Sequence, residues 1–331
     1  MRRILALYLI LFVAVSCSKQ EKIEFTGEAQ GTYYAVTYFD TEGRNFQPEI
    51  DSLLQAFDQV ASMWVENSML SRVNREDTTV KLNDTFIRIF ERSVEVAEMT
   101  DGAFDYTVGP LINAWGFGFQ NKMKMDQHIV DSILNFVGYE KVKIANGKVI
   151  KSDPRIQFDF NAIAQGYSVD LLADFLRSKD IDRFLVDIGG EVYAEGNKPG
   201  GEQWKVGIEK PAEDMNAARE LQAVIFLRDK ALATSGSYRK FYVEDGIKYS
   251  HTLDPKTGYP VQHSLLSATV LASDCMTADA YATAFMVMGL EKTKNYLNEH
   301  EANLEVYLIY SDEEGENQTY MTSGMRSLMY R

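Results

Sequence analysis

Asp279 and Thr283 stand four residues apart in Ala278-Asp279-Ala280-Tyr281-Ala282-Thr283-Ala284, a run of helix-compatible residues. In a helix that spacing puts a carboxylate and a hydroxyl on one face, a turn apart. Two hard oxygen donors are too few for an all-protein Ca²⁺ cage, but they suit Mg²⁺, which keeps positions open for water and substrate phosphates. The same pair also reads as an Asp on a solvated face beside a Thr bonded back to the preceding turn.

Other segments hold groups of equal interest. Asp159-Phe160-Asn161-Ala162-Ile163-Ala164-Gln165-Gly166-Tyr167 reads as a strand-to-helix junction, where a carboxylate and unpaired backbone groups face one opening. That is either a nucleotide cradle or a helix capped by Asp159 or Asn161. Ala233-Thr234-Ser235-Gly236-Ser237-Tyr238-Arg239 offers small hydroxyls, a glycine and a guanidinium, a set able to meet phosphate. His251 begins the segment that runs to Pro260, a strand end entering a turn, where a loop histidine reaches a cleft or simply the surface. Gly102 to Pro110, followed by Trp115-Gly116-Phe117, brings aromatics and Asp105 together for stacking on a flat heterocycle or for core packing. Asp187-Ile188-Gly189-Gly190-Glu191 has the form of a hairpin turn.

These groups need elements to carry them. Alternation from Phe25 to Phe39 predicts a strand pair. Pro48 opens a helix with Ile50, Leu53, Leu54, Phe57, Val60 and Ala61 on one face. Further helices are expected at Asp84–Met99, Asp126–Val137, Ala162–Arg177, Asp274–Met288 and Glu291–Glu299. A hairpin turns at Ala145-Asn146-Gly147, and another at Asp245-Gly246. Strands are expected at Phe184–Ile188, Glu191–Ala194, Trp204–Ile208, Leu221–Leu227, Leu304–Tyr310 and Thr319–Met321. Hairpins mixed with helices, in place of strict βαβα alternation, give the α+β class, with mixed, largely antiparallel sheets and packed helices.

Arg2 and Arg3, the apolar run Ile4 to Val15 and Ser16-Cys17 follow the order of a secretion leader, and the run is too short to span a bilayer as a finished helix. Ala14-Val15-Ser16-Cys17 resembles a lipobox, in which Cys17 is acylated and becomes the new N-terminus. The expected organisation is a signal peptide over 1–16, a lipidated tether over 17–22 and one domain over 23–331. With Cys17 lipidated, Cys275 is the remaining cysteine, so no internal disulfide staples the domain. The 34 Lys and Arg against 48 Asp and Glu give a net charge of −14, and loss of Arg2 and Arg3 makes it −16. That balance argues against nucleic acid as a partner, so a bound phosphate must be met by a metal ion, backbone N–H groups or a helix terminus.

In order, the segments at Gly31-Thr32, Gly102 to Pro110, Asp159 to Asp170, Asp187 to Glu191, Thr234 to Arg239, His251 to Pro260 and Cys275 to Thr283 resemble the FAD:protein FMN transferase family, ApbE. The resemblance covers nearly the whole chain after the leader. It implies an ApbE-like fold of two interleaved subdomains and an enzyme that uses FAD and Mg²⁺. Such an enzyme releases AMP and leaves FMN joined through its phosphate to a Thr or Ser hydroxyl of another exported or membrane-bound protein. It further implies that Asp279, Thr283 and the carbonyl of Ala162 hold the metal and that His251 is the base. FAD would lie against Trp64, Ala103, Phe104, Asp105, Asp159 and Gln165, with Ser237, Arg239, Thr252 and Leu253 also in contact. The implied setting is a lipoprotein anchored on the periplasmic side of the inner membrane. The same site with water as the attacking group would be an FAD pyrophosphatase, and with no catalysis a flavin-binding lipoprotein. Two positions depart from the family pattern: Gln165 stands where many members have Lys, and Gln30 where many have Met. Asp101-Gly102-Ala103-Phe104 resembles the start of an acceptor motif, but Phe104 stands where the modified hydroxyl would be.

Overall fold

The computed structural model describes residues 20–118, 122–212, 220–237, 241–244, 247–300 and 303–330. In chain order the strands are β1 (Glu21–Ala29), β2 (Thr32–Asp40), β3 (Val142–Ala145), β4 (Lys148–Lys151), β5 (Phe184–Ile188), β6 (Glu191–Glu195), β7 (Trp204–Glu209), β8 (Leu221–Leu227), β9 (Lys230–Gly236), β10 (Phe241–Glu244), β11 (Ile247–Ser250), β12 (Leu265–Ala272), β13 (Glu305–Ser311) and β14 (Asn317–Met321). The helices are α1 (Gln47–Ala61), α2 (Met69–Asn74), α3 (Asp84–Met99), α4 (Gly109–Ala114), α5 (Gln127–Leu134), α6 (Ala164–Ser178), α7 (Cys275–Glu299) and α8 (Ser323–Leu328). This is the expected α+β class.

Eight strands form one sheet in the order β1-β2-β5-β6-β9-β12-β13-β14, and every neighbouring pair is antiparallel. Sequence order jumps three times along this sheet, at β2-β5, β6-β9 and β9-β12, so residues from both halves of the chain meet at its centre. Tight turns set the register where the chain doubles back. Gln30-Gly31 (φ 54° and 74°) joins β1 to β2 and Asn146-Gly147 (φ 52° and 68°) joins β3 to β4. Left-handed values at both central residues match the twist of a two-residue hairpin.

Period-two alternation sorts the sheet into two faces. Ala231, Ala233, Ala268, Val270, Val306 and Leu308 point into the large core shared with α1, α3, α6 and α7. Their neighbours Leu232, Leu271, Tyr307 and Ile309 point the other way, into a second core closed by Trp204, Val206 and Ile208 of β7, Ile225 and Leu227 of β8, and Met325 of α8. A third cluster gathers Leu111, Trp115, Ile133 and Leu253.

Several expectations shift. Leu53 is 36% exposed and leaves the buried face of α1, which is made by Ile50, Leu54, Phe57, Val60 and Ala61. The helix expected over 126–137 is capped by Asp126 but ends at Leu134. Neither Asp159 nor Asn161 caps α6: the helix starts at Ala164 behind Ile163, and Asp159 Oδ1 instead accepts from Asn161 N at 2.7 Å, closing a turn. The two helices expected after Asp274 are present: the span labelled α7 is two helices meeting at Gly289, whose backbone is not helical (φ 76°, ψ 178°). Strands β9 and β12 lie in segments given no strand from sequence, and they are central. Among the described residues no helix is long and apolar enough to cross a membrane. Cys17 and the leader lie outside the described residues.

Candidate active site

Helix α7 begins at the centre of the sheet, against α6 and β9. Its first three N–H groups are all met by carboxylates. Asp274, the cap, accepts from Thr277 N at 2.9 Å, while Asp170 of α6 accepts from Cys275 N at 2.7 Å and Met276 N at 2.8 Å. One turn on, Asp279 Oδ2 accepts from Gly166 N at 3.0 Å. The helices touch closely here: a Cβ on Gly166 would lie 2.3 Å from Cys275 O and 2.8 Å from Asp279 Cβ. A glycine is required by that approach.

Asp279 and Thr283 line a cavity of about 750 Å³, and Ala162 is in the same wall. Helical spacing therefore places the two side chains as expected. Asp279 turns one oxygen to Gly166 and leaves the other to the cavity it lines. Thr283 Oγ1 sits 3.0 Å from Ser235 Oγ, and Ser235 shares its sheet face with Ala231 and Ala233. Glu191, first residue of β6, reaches the same cavity. The Gln165 amide donates to Glu191 Oε2 and, at 2.7 Å, to Ile188 O. Gly189 (φ 66°) gives this amide its room, since a Cβ there would meet Gln165 Nε2 at 2.5 Å.

Burial raises the carboxyls of this wall. Asp279 is pushed up to about 7, and Glu191 is raised well above its ordinary value by burial and then by the nearby Asp279. Among the described residues neither carboxyl forms an ion pair. Two buried acids on one cavity wall favour binding of a cation, which would lower both. The donor set of one carboxylate oxygen, one hydroxyl and one carbonyl fits Mg²⁺. No group of three or more His, Cys, Asp or Glu among the described residues is arranged to hold a metal by itself.

Aromatic residues also line the cavity, Trp64, Phe104 and Phe117 among them. His251 lines the cavity with its ring 6.4 Å from that of Phe117. Its loop is held by Asp254 N to Tyr259 O (2.9 Å), Val261 N to Thr252 O (3.0 Å) and Trp115 Nε1 to Gly258 O (2.8 Å). Thr252 and Leu253 are buried in the same wall. Asp105 is also there, but its oxygens are occupied: Oδ1 accepts from Thr107 N and Oγ1, and Oδ2 from Tyr139 N. Burial pushes its carboxyl up to about 6. Asp105 thus shapes the wall. Phe104, 2% exposed, belongs to the core behind it, and Trp64, 66% exposed, stands at the rim.

Asp159 and Ala103 complete the residues expected from sequence that line the cavity. Ser237 is not part of the lining. Its N–H and hydroxyl both turn to Leu266 O, at 3.0 and 3.4 Å, and Gly236 lines the cavity instead. Arg239 lies outside the described residues. The sequence reading overlooked Glu191, which it took as part of a turn, and also Gly166 and Asp170, which act through backbone contacts. Lys205 and Glu209 of β7 also line the cavity, brought in by the β7–β8 hairpin, which lies between the segments singled out from sequence.

The ApbE family model matches residues 30–308. The FAD:protein FMN transferase of Vibrio cholerae serotype O1 is 36% identical over 303 residues, covering 88% of this chain and 89% of that one. The solved flavin transferase ApbE from Vibrio cholerae superposes with a TM-score of 0.81 at 33% identity, covering 93% of this chain and 99% of its own. The apo flavinyl transferase ApbE of Pseudomonas stutzeri gives 0.83 at 30% identity, covering 94% and 97%. The matched span contains Asp159, Gln165, Glu191, His251, Asp279 and Thr283, so on sequence, fold and coverage alike the chain belongs to the ApbE family.

Proposed function

We propose that this chain is an FAD:protein FMN transferase that uses Mg²⁺. It cleaves FAD, releases AMP and joins FMN through a phosphoester to a Thr or Ser hydroxyl of an exported acceptor protein. The observation that carries this reading is that Asp279, Thr283 and His251 line one cavity. FAD enters past Trp64 and lies along Ala103 and Phe104, with Asp159 and Gln165 beside it. Asp279, Thr283 and the carbonyl of Ala162 would hold Mg²⁺, which when bound would supply positive charge beside the diphosphate. The net charge of the chain offers no such compensation.

In the chemical step the acceptor oxygen forms a bond to the FMN-side phosphorus, and the bond from that phosphorus to the oxygen of the AMP phosphate breaks. His251 takes the hydroxyl proton. The walls position the two reacting groups and keep bulk water from competing with the hydroxyl. Lipid on Cys17 holds the enzyme on the periplasmic side of the inner membrane, beside membrane-bound acceptors, and raises their mutual effective concentration.

Incubation with FAD, Mg²⁺ and a Thr-containing acceptor, with masses of acceptor and free flavin measured together, tests the reading. FMN on the acceptor with equimolar AMP supports transfer, whereas free FMN with unmodified acceptor makes the protein an FAD pyrophosphatase. FAD binding with no AMP makes it a flavin-binding lipoprotein. The mass of the native N-terminus tests the lipid on Cys17.

A further inference from the structure

Two residues of α6, one turn apart, grip α7 at two points one turn apart. Gly166 N–H holds the Asp279 carboxylate, and the Asp170 carboxylate holds Cys275 N and Met276 N. Residues four apart share a helix face, so both grips lie along one line of contact. A single contact would leave α7 able to slide or turn about its axis. Two contacts fix its rotation and its height. Asp274 is different, because it caps Thr277 from the residue immediately before α7 and its other oxygen accepts from the adjacent Ser273 hydroxyl, so neither bond reaches α6.

We propose that Asp170 is a positioning residue for the cation-binding carboxylate: by anchoring the first turn of α7 to α6 it sets where Asp279 presents its cavity-facing oxygen. Asp170 touches no substrate in this role, because both its oxygens are taken up by Cys275 N and Met276 N at the α6–α7 seam. The inference rests on the reading above only in taking Asp279 as a cation ligand.

The test compares Mn²⁺ binding, followed by the electron paramagnetic resonance signal of the free ion, for wild type, Asp170→Asn, Asp274→Ala and Asp279→Ala. Thermal unfolding in EDTA is measured alongside. Asn matches Asp in shape but presents an NH₂ to one of the two N–H groups, so one anchor is lost. Partners that orient a metal ligand typically change affinity about 10–100-fold. Asp170→Asn is expected to weaken Mn²⁺ binding by about tenfold or more. In flavin transfer its deficit is expected to be recovered by raising Mg²⁺, unlike that of Asp279→Ala. Asp274→Ala is expected to lower the unfolding temperature with wild-type Mn²⁺ affinity.

Equal Mn²⁺ affinity in Asp170→Asn and wild type would overturn the proposal, as would an equal loss in Asp274→Ala. Absence of Mn²⁺ binding in the wild type, or wild-type binding in Asp279→Ala, would overturn the cation reading itself. Should Asp170→Asn not fold, Asp170→Glu keeps the charge but displaces α7 by an extra methylene. Wild-type affinity in that variant would also count against the proposal.

Discussion

Replacing Gly166 with Ala should damage the active site more than the fold. A Cβ at this position would sit 2.3 Å from Cys275 O, 2.7 Å from its carbon and 2.8 Å from Asp279 Cβ. Ordinary contact begins at 3.4 Å, so the seam between α6 and α7 must open by roughly 1 Å. Two of the obstructing atoms are backbone, which cannot swing aside. Overpacking of this kind costs about 1–3 kcal/mol. The same displacement carries Asp279 away from Gly166 N and from Thr283's partner Ser235 on the sheet. A misplacement of about 1 Å can cost on the order of 100-fold in rate. The assay is the rate of FMN transfer to an acceptor peptide at saturating FAD, with urea unfolding measured on the same preparation. The expected result is a cooperative unfolding transition shifted by about 1–3 kcal/mol and transfer reduced by about 100-fold. Wild-type transfer in a folded Gly166→Ala protein would refute the claim that this close approach sets the position of Asp279.

Asp279→Ala should abolish divalent-dependent AMP release from FAD, and retained release would remove Asp279 from the reaction. His251→Ala should slow FMN transfer by roughly 100-fold or more while FAD affinity, followed by flavin fluorescence, changes little; a parallel loss of FAD binding would assign His251 to binding instead. In EDTA the protein should be less stable at pH 8 than at pH 5. Asp105 and Asp170 are pushed up to about 6 and about 7, so the folded state binds protons more tightly than the unfolded one. Their favourable contribution fades as pH rises through those values. Between pH 5 and 8 the combined effect is on the order of 4 kcal/mol, and a flat urea midpoint over that range would contradict it. Cys275 is fully buried with its thiol pushed up, so peptide mapping should find it unmodified by iodoacetamide in the native protein and labelled after unfolding.

Local patterns were legible in the chain because they depend on near neighbours. The strand pair around Gln30-Gly31, the hairpin at Asn146-Gly147 and the bounds of α3 follow from turn geometry and helical periodicity. Strands β9 and β12 were not legible. Buried on both faces at the centre of the sheet, they lose the polar alternation that marks a half-buried strand, and β12 is almost wholly apolar in its burial. The break at Gly289 was legible as the boundary between two helices, and the non-helical backbone there bears that out.

The site divides the same way. Spacing alone put Asp279 and Thr283 on one helix face, and the order of seven segments carried the family resemblance. Tertiary structure alone brought α6 against the start of α7, where Gly166 is defined by a backbone 109 residues later and Asp170 by the N–H groups of Cys275 and Met276. It also gave Glu191 a place beside Asp279, turned Ser237 away to Leu266 and filled the valences of Asp105 from Thr107 and Tyr139. The sequence by itself determined which chemical groups are available and which short stretches present them. Only the packed structure decided which of those groups share a cavity, because that depends on contacts between residues far apart in the chain, set by burial and close backbone approach.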